Sequence, residues 1–190
     1  MHLDKKTVPG IYNADDLCTF VFAVNNNKEL CPWQTEDGKI HLRADIDLLG
    51  VDYKPIGANT MFRGVFDGEG HTVSNITIQK KRGAVGLFGN NGGMIKNVHV
   101  RLADIESYGY SAAGGIAGSN QGIIMGCSFE GKLSLGDRVG GIAGENYGSI
   151  VICLDKSHYM LNSWKDFNSP LWSYLHSEIE TTSEPDIIFS

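Results

Sequence analysis

Three copies of a glycine- and asparagine-rich segment constrain the fold of this chain more than any other feature. They read VGLFGNNGGMIKNVHV from Val85, GGIAGSNQGIIMGCSF from Gly114 and GGIAGENYGSIVICLD from Gly140. Equivalent glycines at 86, 115 and 141, and equivalent asparagines at 91, 120 and 146, are separated by 29 and then 26 residues. A period in the twenties, with short apolar stretches between glycine turns, is typical of one coil of a parallel β-helix. It is too short for a propeller blade and lacks helical periodicity.

Stacking the copies predicts columns of side chains that run from coil to coil. A fourth, partial copy at 73–78 matches 95–100 at an offset of 22 residues. The period-2 alternation of a strand then gives inward and outward positions. The predicted inward columns are Val73, Ile95, Ile124, Ile150; Ile76, Val98, Cys127, Cys153; and Ile78, Val100, Phe129, ending at Asp155. The predicted outward columns are Thr77, His99, Ser128, Leu154 and Gln79, Arg101, Glu130, Lys156.

Two further predictions come from these columns. The in–out alternation slips by one residue at Asn75, Asn97 and Gly126, and these residue types tolerate the left-handed backbone that a corner requires. Cys127 and Cys153 share one column, and neighbouring strands about 4.8 Å apart lie within the Cα separation that a disulfide accepts. Two stacked thiols are the favoured interpretation, and a disulfide remains the alternative.

The segments at the two ends of the repeats differ from the repeats. Asn13 is a good N-cap for a helix with acidic residues in its first turn and an apolar stripe at Leu17, Phe20, Val21 and Val24. Short strands are predicted at 39–42 and 45–49, and two more around the glycine-rich turn of 62–72. After Ser157 the repeats end, and a short helix is predicted at 171–179. The candidate partner-binding residues are the aromatics Trp164, Phe167, Trp172 and Tyr174, with a hydrophobic lid over the last coil as the alternative.

The predicted fold is therefore all-β: a short parallel β-helix (β-solenoid) of about 4–5 coils, with an N-terminal capping helix and a non-repeat C-terminal segment. The predicted domain boundaries place the capped β-helix at 1–156, with repeats near 72–82, 83–112, 113–138 and 139–156. Residues 157–190 then form an aromatic C-terminal lid or interaction segment.

The repeats resemble those of the GLUG-motif proteins. The resemblance rests on VGLFGNNGGMIKNVHV, GGIAGSNQG and GGIAGENYGSI, and on the preceding stretch from ADIDL at 44–48 through PIG at 55–57 to FDGEGHT at 66–72. It covers roughly residues 10–155. The resemblance implies an accessory module of bacterial secreted or surface proteins, which include adhesin-like chains and large proteins with a separate protease domain. It also implies that the repeats themselves carry no chemistry.

Charge and composition limit the classes of partner. A formal net charge of −6 disfavours a nucleic-acid binder, and no apolar run is long enough for membrane insertion. The N-terminus has no apolar signal-peptide core, which slightly favours the cytoplasm over the cell surface. The four cysteines form no C-x-x-C pair, so a zinc site is not expected.

An active site is not predicted. Asp67, Glu69 and His71 alternate through FDGEGHT and are the best candidates for catalysis or metal binding, but their glycine-rich turn favours a role in the scaffold. Asp104 and Glu106 are expected in a solvated loop after the first full coil. We therefore predict no catalytic residue, no cofactor and no metal.

The preferred function is a non-enzymatic interaction module whose partner is a protein, a glycan being possible. Its setting is either bacterial surface adhesion or an intracellular phage or mobile-element inhibitor. The alternatives are a carbohydrate-active β-helix enzyme and a structural virion or fibre component.

Overall fold

The computed structural model describes residues 8–80, 83–107, 111–134 and 138–160. Within these ranges the chain forms one α-helix and a succession of short strands, numbered in chain order. The helix α1 spans Ala14–Asn25. The strands are β1 Lys39–His41, β2 Ile46–Asp47, β3 Val65–Asp67, β4 Thr72–Ser74, β5 Thr77–Lys80, β6 Gly83–Val85, β7 Phe88–Asn91, β8 Met94–Lys96, β9 His99–Ser107, β10 Ser111–Gly114, β11 Ala117–Asn120, β12 Ile123–Met125, β13 Ser128–Ser134, β14 Arg138–Gly140, β15 Ala143–Asn146, β16 Ser149–Val151 and β17 Leu154–Met160.

The strands stack into parallel sheets that wrap around one core. One sheet has the order β1-β3-β8-β12-β16, and two three-stranded sheets have the orders β14-β10-β6 and β15-β11-β7. The six-stranded sheet has the order β17-β13-β9-β4-β2, with β5 also beside β9. Each strand lies one coil above an equivalent strand, so the chain is a parallel β-solenoid of about four turns, as predicted. The last strand continues to Met160, beyond the boundary drawn at 156.

The columns predicted for the three full repeats are confirmed by the strand registers. Ile95, Ile124 and Ile150 lie in one column, and Val100, Phe129 and Asp155 lie in another. On the outside, His99 lies opposite Ser128, which lies opposite Leu154, and Arg101, Glu130 and Lys156 are aligned in the same way. Regular spacing between the copies makes these registers readable from sequence.

The register predicted for the partial copy is wrong. Val73 pairs with Val100 rather than lying in the column of Ile95, whose partner in the coil below is Phe66. The true offset is thus 27 residues. Thr77 then lies opposite Asp104, Ile78 opposite Ile105 and Gln79 opposite Glu106, which moves these three residues and Ile76 out of their predicted columns. The Asp104 amide donates to the carbonyl of Ile76 at 2.8 Å, so Ile76 does not stack on Val98.

The left-handed backbone predicted at three corner residues is confirmed, but one of the three, Asn75, lies at a different corner from the other two. Asn75, Asn97 and Gly126 have φ angles of 59°, 52° and 62°. Asn97 and Gly126 share one corner of successive coils, and the next residue at that corner is Ile152, with a φ of 52°. Asn75 belongs to a different corner, because the coil register places it beside Leu102.

Ile152 is therefore a β-branched residue held in a backbone conformation that suits asparagine or glycine, and its side chain is 87% exposed. Replacing it with Asn should raise the free energy of unfolding by about 1 kcal/mol, since left-handed backbone costs a branched residue roughly that amount and little packing is lost. Urea unfolding measures the change. The neighbouring Val151→Asn variant is the control: Val151 is exposed without a left-handed backbone, so it should gain no stability.

Helix α1 caps the N-terminal end of the core, as predicted. The Asn13 side chain accepts a hydrogen bond from the Asp16 amide at 2.9 Å, which satisfies a free donor of the first turn. The predicted stripe residues Leu17, Phe20, Val21 and Val24 are all buried. The ring of Phe20 lies 6.4 Å from that of Phe62 and 6.3 Å from that of Phe66 between centroids, so the helix closes the first coil with aromatic contacts.

A ladder of asparagines runs inside the turns of the three full coils. Asn91 Nδ2 donates to Asn120 Oδ1 at 2.8 Å, and Asn120 Nδ2 donates to Asn146 Oδ1 at 2.7 Å. Asn91 Oδ1 accepts from the amide of Gly93, and Asn120 Oδ1 also accepts from the amide of Gly122. Asn91 and Asn120 are fully buried, so their side-chain amides depend on protein partners such as these for their hydrogen bonds.

Candidate functional site

The outward-facing side chains of β9, β13 and β17 form the candidate site, here called the outer face. These three strands are longer than the others, at nine, seven and seven residues. Their registered rows place polar and charged groups of three coils side by side. The rows are His99, Ser128, Leu154; Arg101, Glu130, Lys156; and Asp104, Lys132, His158.

A β-bulge interrupts the outer face between the second and third rows. Arg101 lies opposite Glu130 and Ala103 lies opposite Gly131, so Leu102 has no counterpart on β13. Its φ is 52°, and its side chain is 65% exposed. A leucine in this conformation costs about 1–2 kcal/mol relative to ordinary backbone. Bulges of this kind re-aim a side chain, and here the effect is to present an apolar group to solvent.

A shallow depression of about 430 Å³ lies beside Leu102. Its walls include Asp104, Glu130, Lys132 and His158, and its floor is formed in part by Gly131. A Cβ at Gly131 would lie 2.6 Å from the carbonyl oxygen of Ala103. Only glycine allows β13 to approach β9 this closely.

A second depression, of about 360 Å³, lies on the other side of the Arg101–Glu130–Lys156 row and includes His99, Ser128 and Leu154. His99 Nδ1 lies 2.7 Å from Ser128 Oγ, within hydrogen-bond distance. Arg101 Nε lies 3.5 Å from Glu130 Oε2. The charged row thus forms a ridge that separates two troughs.

Asp104 and Lys132 face each other across β9 and β13. In the described part of the chain, neither side chain makes an ion pair within 4.0 Å. Both are exposed, so both charges are available to an incoming ligand. The outer face can therefore supply apolar contact at Leu102 together with hydrogen-bond donors and acceptors around it.

The three residues that alternate through FDGEGHT do not form one site. Asp67 is nearly buried, with its carboxylate 2.7 Å from Lys96 Nζ and bonded to Asn97 Nδ2 and the Glu69 amide at 3.1 Å each. Burial of Asp67 raises the pKa of its carboxyl, but Lys96 and the two hydrogen bonds outweigh it, so the pKa lies below the usual range. The side chain of Asp67 therefore links its own coil to the next one, through Lys96 and Asn97.

Glu69 and His71 are bound elsewhere. Both Glu69 oxygens accept from Arg43 Nη1 at 2.8 Å, and one lies 2.8 Å from His41 Nδ1. His71 Nδ1 lies 3.1 Å from Asp45 Oδ1. The Thr72 amide, with His71, lowers the pKa of Asp45. These contacts link successive coils, in line with the scaffold role that the sequence favoured.

Asp104 and Glu106 lie on strand β9, so their predicted place in a loop is wrong. Within the described ranges, no group of three His, Cys, Asp or Glu side chains is arranged to hold a metal ion. In the same part of the chain, no helix combines the length and apolar character that crossing a membrane requires.

The predicted partner-binding residues Trp164, Phe167, Trp172 and Tyr174, and the predicted helix at 171–179, lie outside the described residues and stay predictions. Sequence reasoning missed Leu102, because the extra residue between Arg101 and Ala103, relative to Glu130 and Gly131, is defined by the pairing of the two strands. Cys127 and Cys153 are both free thiols, as the favoured interpretation had it.

Comparisons with known proteins agree with the repeat architecture. The model of the GLUG motif matches residues 109–134. Halomucin from Haloquadratum walsbyi is 33% identical over 97 residues, which are 47% of this chain and 1% of halomucin. A crystal structure from Bacteroides ovatus, described as that of a proposed immunoglobulin A1 protease, superposes with a TM-score of 0.54 at 21% identity. That match covers 74% of this chain and 43% of the other, and it shows a shared fold. The chain therefore carries a GLUG motif at residues 109–134, within the stack of similar coils that the structure shows.

Proposed function

We propose that this protein is a non-enzymatic, adhesin-like interaction module that binds an extended segment of a partner protein across the outer face. The observation that carries the proposal is Leu102, an apolar side chain held in solvent by a left-handed bulge at the middle of the six-stranded sheet. Strain that the fold retains at an exposed position is a reason to infer function there.

The surroundings of Leu102 support a protein partner. An apolar anchor ringed by polar groups is the usual arrangement of a protein interface. Here the ring contains Asp104 and Lys132, two exposed charges of opposite sign. A polypeptide can offer an apolar side chain to the depression beside Leu102 and charged neighbours to the two flanking residues.

The proposal that the module is non-enzymatic rests on the best catalytic candidates. Asp67, Glu69 and His71 each hold a different partner in a neighbouring coil, so no pair of them is poised to act on one substrate. The GLUG motif and the similarity to halomucin support the adhesion-type setting over the intracellular inhibitor. Since the chain spans 1% of halomucin and 43% of the structural neighbour, the activities of those whole proteins do not transfer to it.

A display experiment tests the outer face. Peptides enriched from a random display library on the immobilised protein should bind Leu102→Asp at least tenfold more weakly than the wild type, by calorimetric titration. Asp tolerates left-handed backbone, so the variant should fold. Tyr147→Asp is the matched control, because Tyr147 is 73% exposed and lies between β15 and β16, outside the six-stranded sheet.

Two outcomes would contradict the proposal: no enrichment, or enriched peptides that bind Leu102→Asp and Tyr147→Asp equally. A Trp164→Ala, Trp172→Ala variant is a third arm. If that variant alone loses binding, the partner contacts the aromatic segment predicted from the sequence and not the outer face.

A further inference from the structure

Cys127 and Cys153 occupy the same position in two successive coils. The residues that follow them, Ser128 and Leu154, are direct partners in the register of β13 and β17. The Leu154 amide donates to the carbonyl of Cys127 at 2.9 Å. The two Cα atoms are therefore about one strand spacing, roughly 4.8 Å, apart, which lies inside the 4.4–6.8 Å range of disulfide-bonded cysteines.

The two side chains also point the same way. Cys127 Sγ lies 3.4 Å from the carbonyl oxygen of Met125, and Cys153 Sγ lies 3.5 Å from that of Val151, its counterpart one coil on. Each sulfur also faces the coil below: Cys153 Sγ is 3.7 Å from the carbonyl oxygen of Ile124. Because Ile124 belongs to the coil of Cys127, the sulfur of Cys153 is already directed toward its neighbour.

Exposure differs between the two thiols. Cys127 is 2% exposed, while Cys153 is partly exposed at the end of the described stack. Burial raises the pKa of the Cys127 thiol to about 12, and the neighbouring Cys153 acts in the same direction. Cys153 is thus the thiol that a soluble oxidant reaches first, and Cys127 is the buried thiol that follows.

We propose that Cys127 and Cys153 form a disulfide under a disulfide oxidant such as oxidised glutathione, and that this bond fastens the last described coil to the one before it. The Cys153 thiolate attacks one sulfur of glutathione disulfide, forms a mixed disulfide and releases one glutathione thiolate. The Cys127 thiolate then attacks the Cys153 sulfur and releases the second. The protein loses two electrons and two protons, and one glutathione disulfide becomes two glutathione thiols.

The bond would close a loop of about 26 residues and remove entropy from the unfolded chain. Disulfides that close loops of this size typically stabilise enough to raise the Tm of a chain this long by roughly 5–10 °C. The stabilised part is the coil in which Ile150 is 38% exposed and Tyr147 is 73% exposed. The disulfide would hold this partly uncovered coil in place.

The test uses the full chain incubated with oxidised glutathione at mildly alkaline pH, followed by peptide mapping without reduction. The expected result is a crosslinked peptide joining residues 127 and 153, a Tm rise of roughly 5–10 °C reversed by dithiothreitol, and loss of both in Cys153→Ser. Cys31→Ser is the matched control, since Cys31 is exposed and should leave crosslink and Tm shift unchanged.

Three results would overturn the inference. One is a glutathione adduct on Cys153 that persists without closing on Cys127. Another is crosslinking that involves Cys18 or Cys31 in place of the stacked pair. The last is a 127–153 crosslink that forms at the same rate in urea-unfolded chain, because the stacked geometry would then contribute nothing.

Discussion

Replacing Asn120 with Ala should lower the free energy of unfolding by about 4 kcal/mol, because the asparagine ladder loses its middle member. The Asn120 side chain accepts from Asn91 Nδ2 and the Gly122 amide and donates to Asn146 Oδ1, all within 3.2 Å. Alanine removes each of these partners at a site with no exposed surface. The buried donors left behind each carry a desolvation cost of about 1–3 kcal/mol.

Asn146→Ala is the matched control for this experiment. Asn146 lies at the same place one coil later, but it is exposed, and its side chain bonds to Asn120 and to the carbonyl of Gly148. Water can replace those bonds, so the expected loss is about 1 kcal/mol or less. Urea unfolding followed by far-UV circular dichroism measures both variants. Equal losses in the two would contradict a dependence on burial.

The ladder also explains why so much of the fold could be predicted from sequence. Asn91, Asn120 and Asn146 each follow the glycine of a copy at a fixed distance, so the repeat itself aligns the three full coils. Once the asparagines are aligned, the columns of Ile95, Ile124 and Ile150 follow from strand alternation. Local sequence and stacked contacts give the same register here.

In the earlier coils the local sequence and the stacked contacts give different registers, and the register predicted for the partial copy at 73–78 was therefore wrong. The turn between β3 and β4 holds four residues, 68–71, where the next coil holds two between β8 and β9. The difference is accommodated because the Gly68 and Gly70 amides donate to the carbonyls of Lys96 and Asn97, both at 2.8 Å. A Cβ at Gly68 would clash with Val98, so glycine is required by a contact across coils that no local pattern reveals.

The candidate site was hidden for a related reason. Leu102 reads as one more apolar residue of a strand, and its exposure follows from the missing counterpart on β13. The same bulge breaks the alternation, which made Asp104 and Glu106 resemble loop residues although they lie on β9. An irregularity that is defined by the neighbouring coil becomes visible only when the coils are stacked.

The second large effect is expected at Gly115, the glycine between β10 and β11. A Cβ there would overlap the ring of Phe129 and lie 2.5 Å from the carbonyl oxygen of Gly141. Phe129 is fully buried on β13, so its ring has nowhere to move without displacing other core side chains. Gly115→Ala should therefore lower the free energy of unfolding by about 3 kcal/mol, at the upper end of overpacking effects.

Two companion variants identify the cause of that loss. Gly50→Ala, where nothing lies within 4 Å but φ is 76°, isolates the cost of left-handed backbone and should lose about 1 kcal/mol. Phe129→Leu makes room beside residue 115, so the double variant should be at least 1 kcal/mol more stable than the sum of the single losses implies. Strict additivity in urea unfolding would show that Gly115 is not kept by the ring of Phe129. Coupling would mean that Gly115 is retained because the ring of Phe129, in the same coil, fills the space that its Cβ would need.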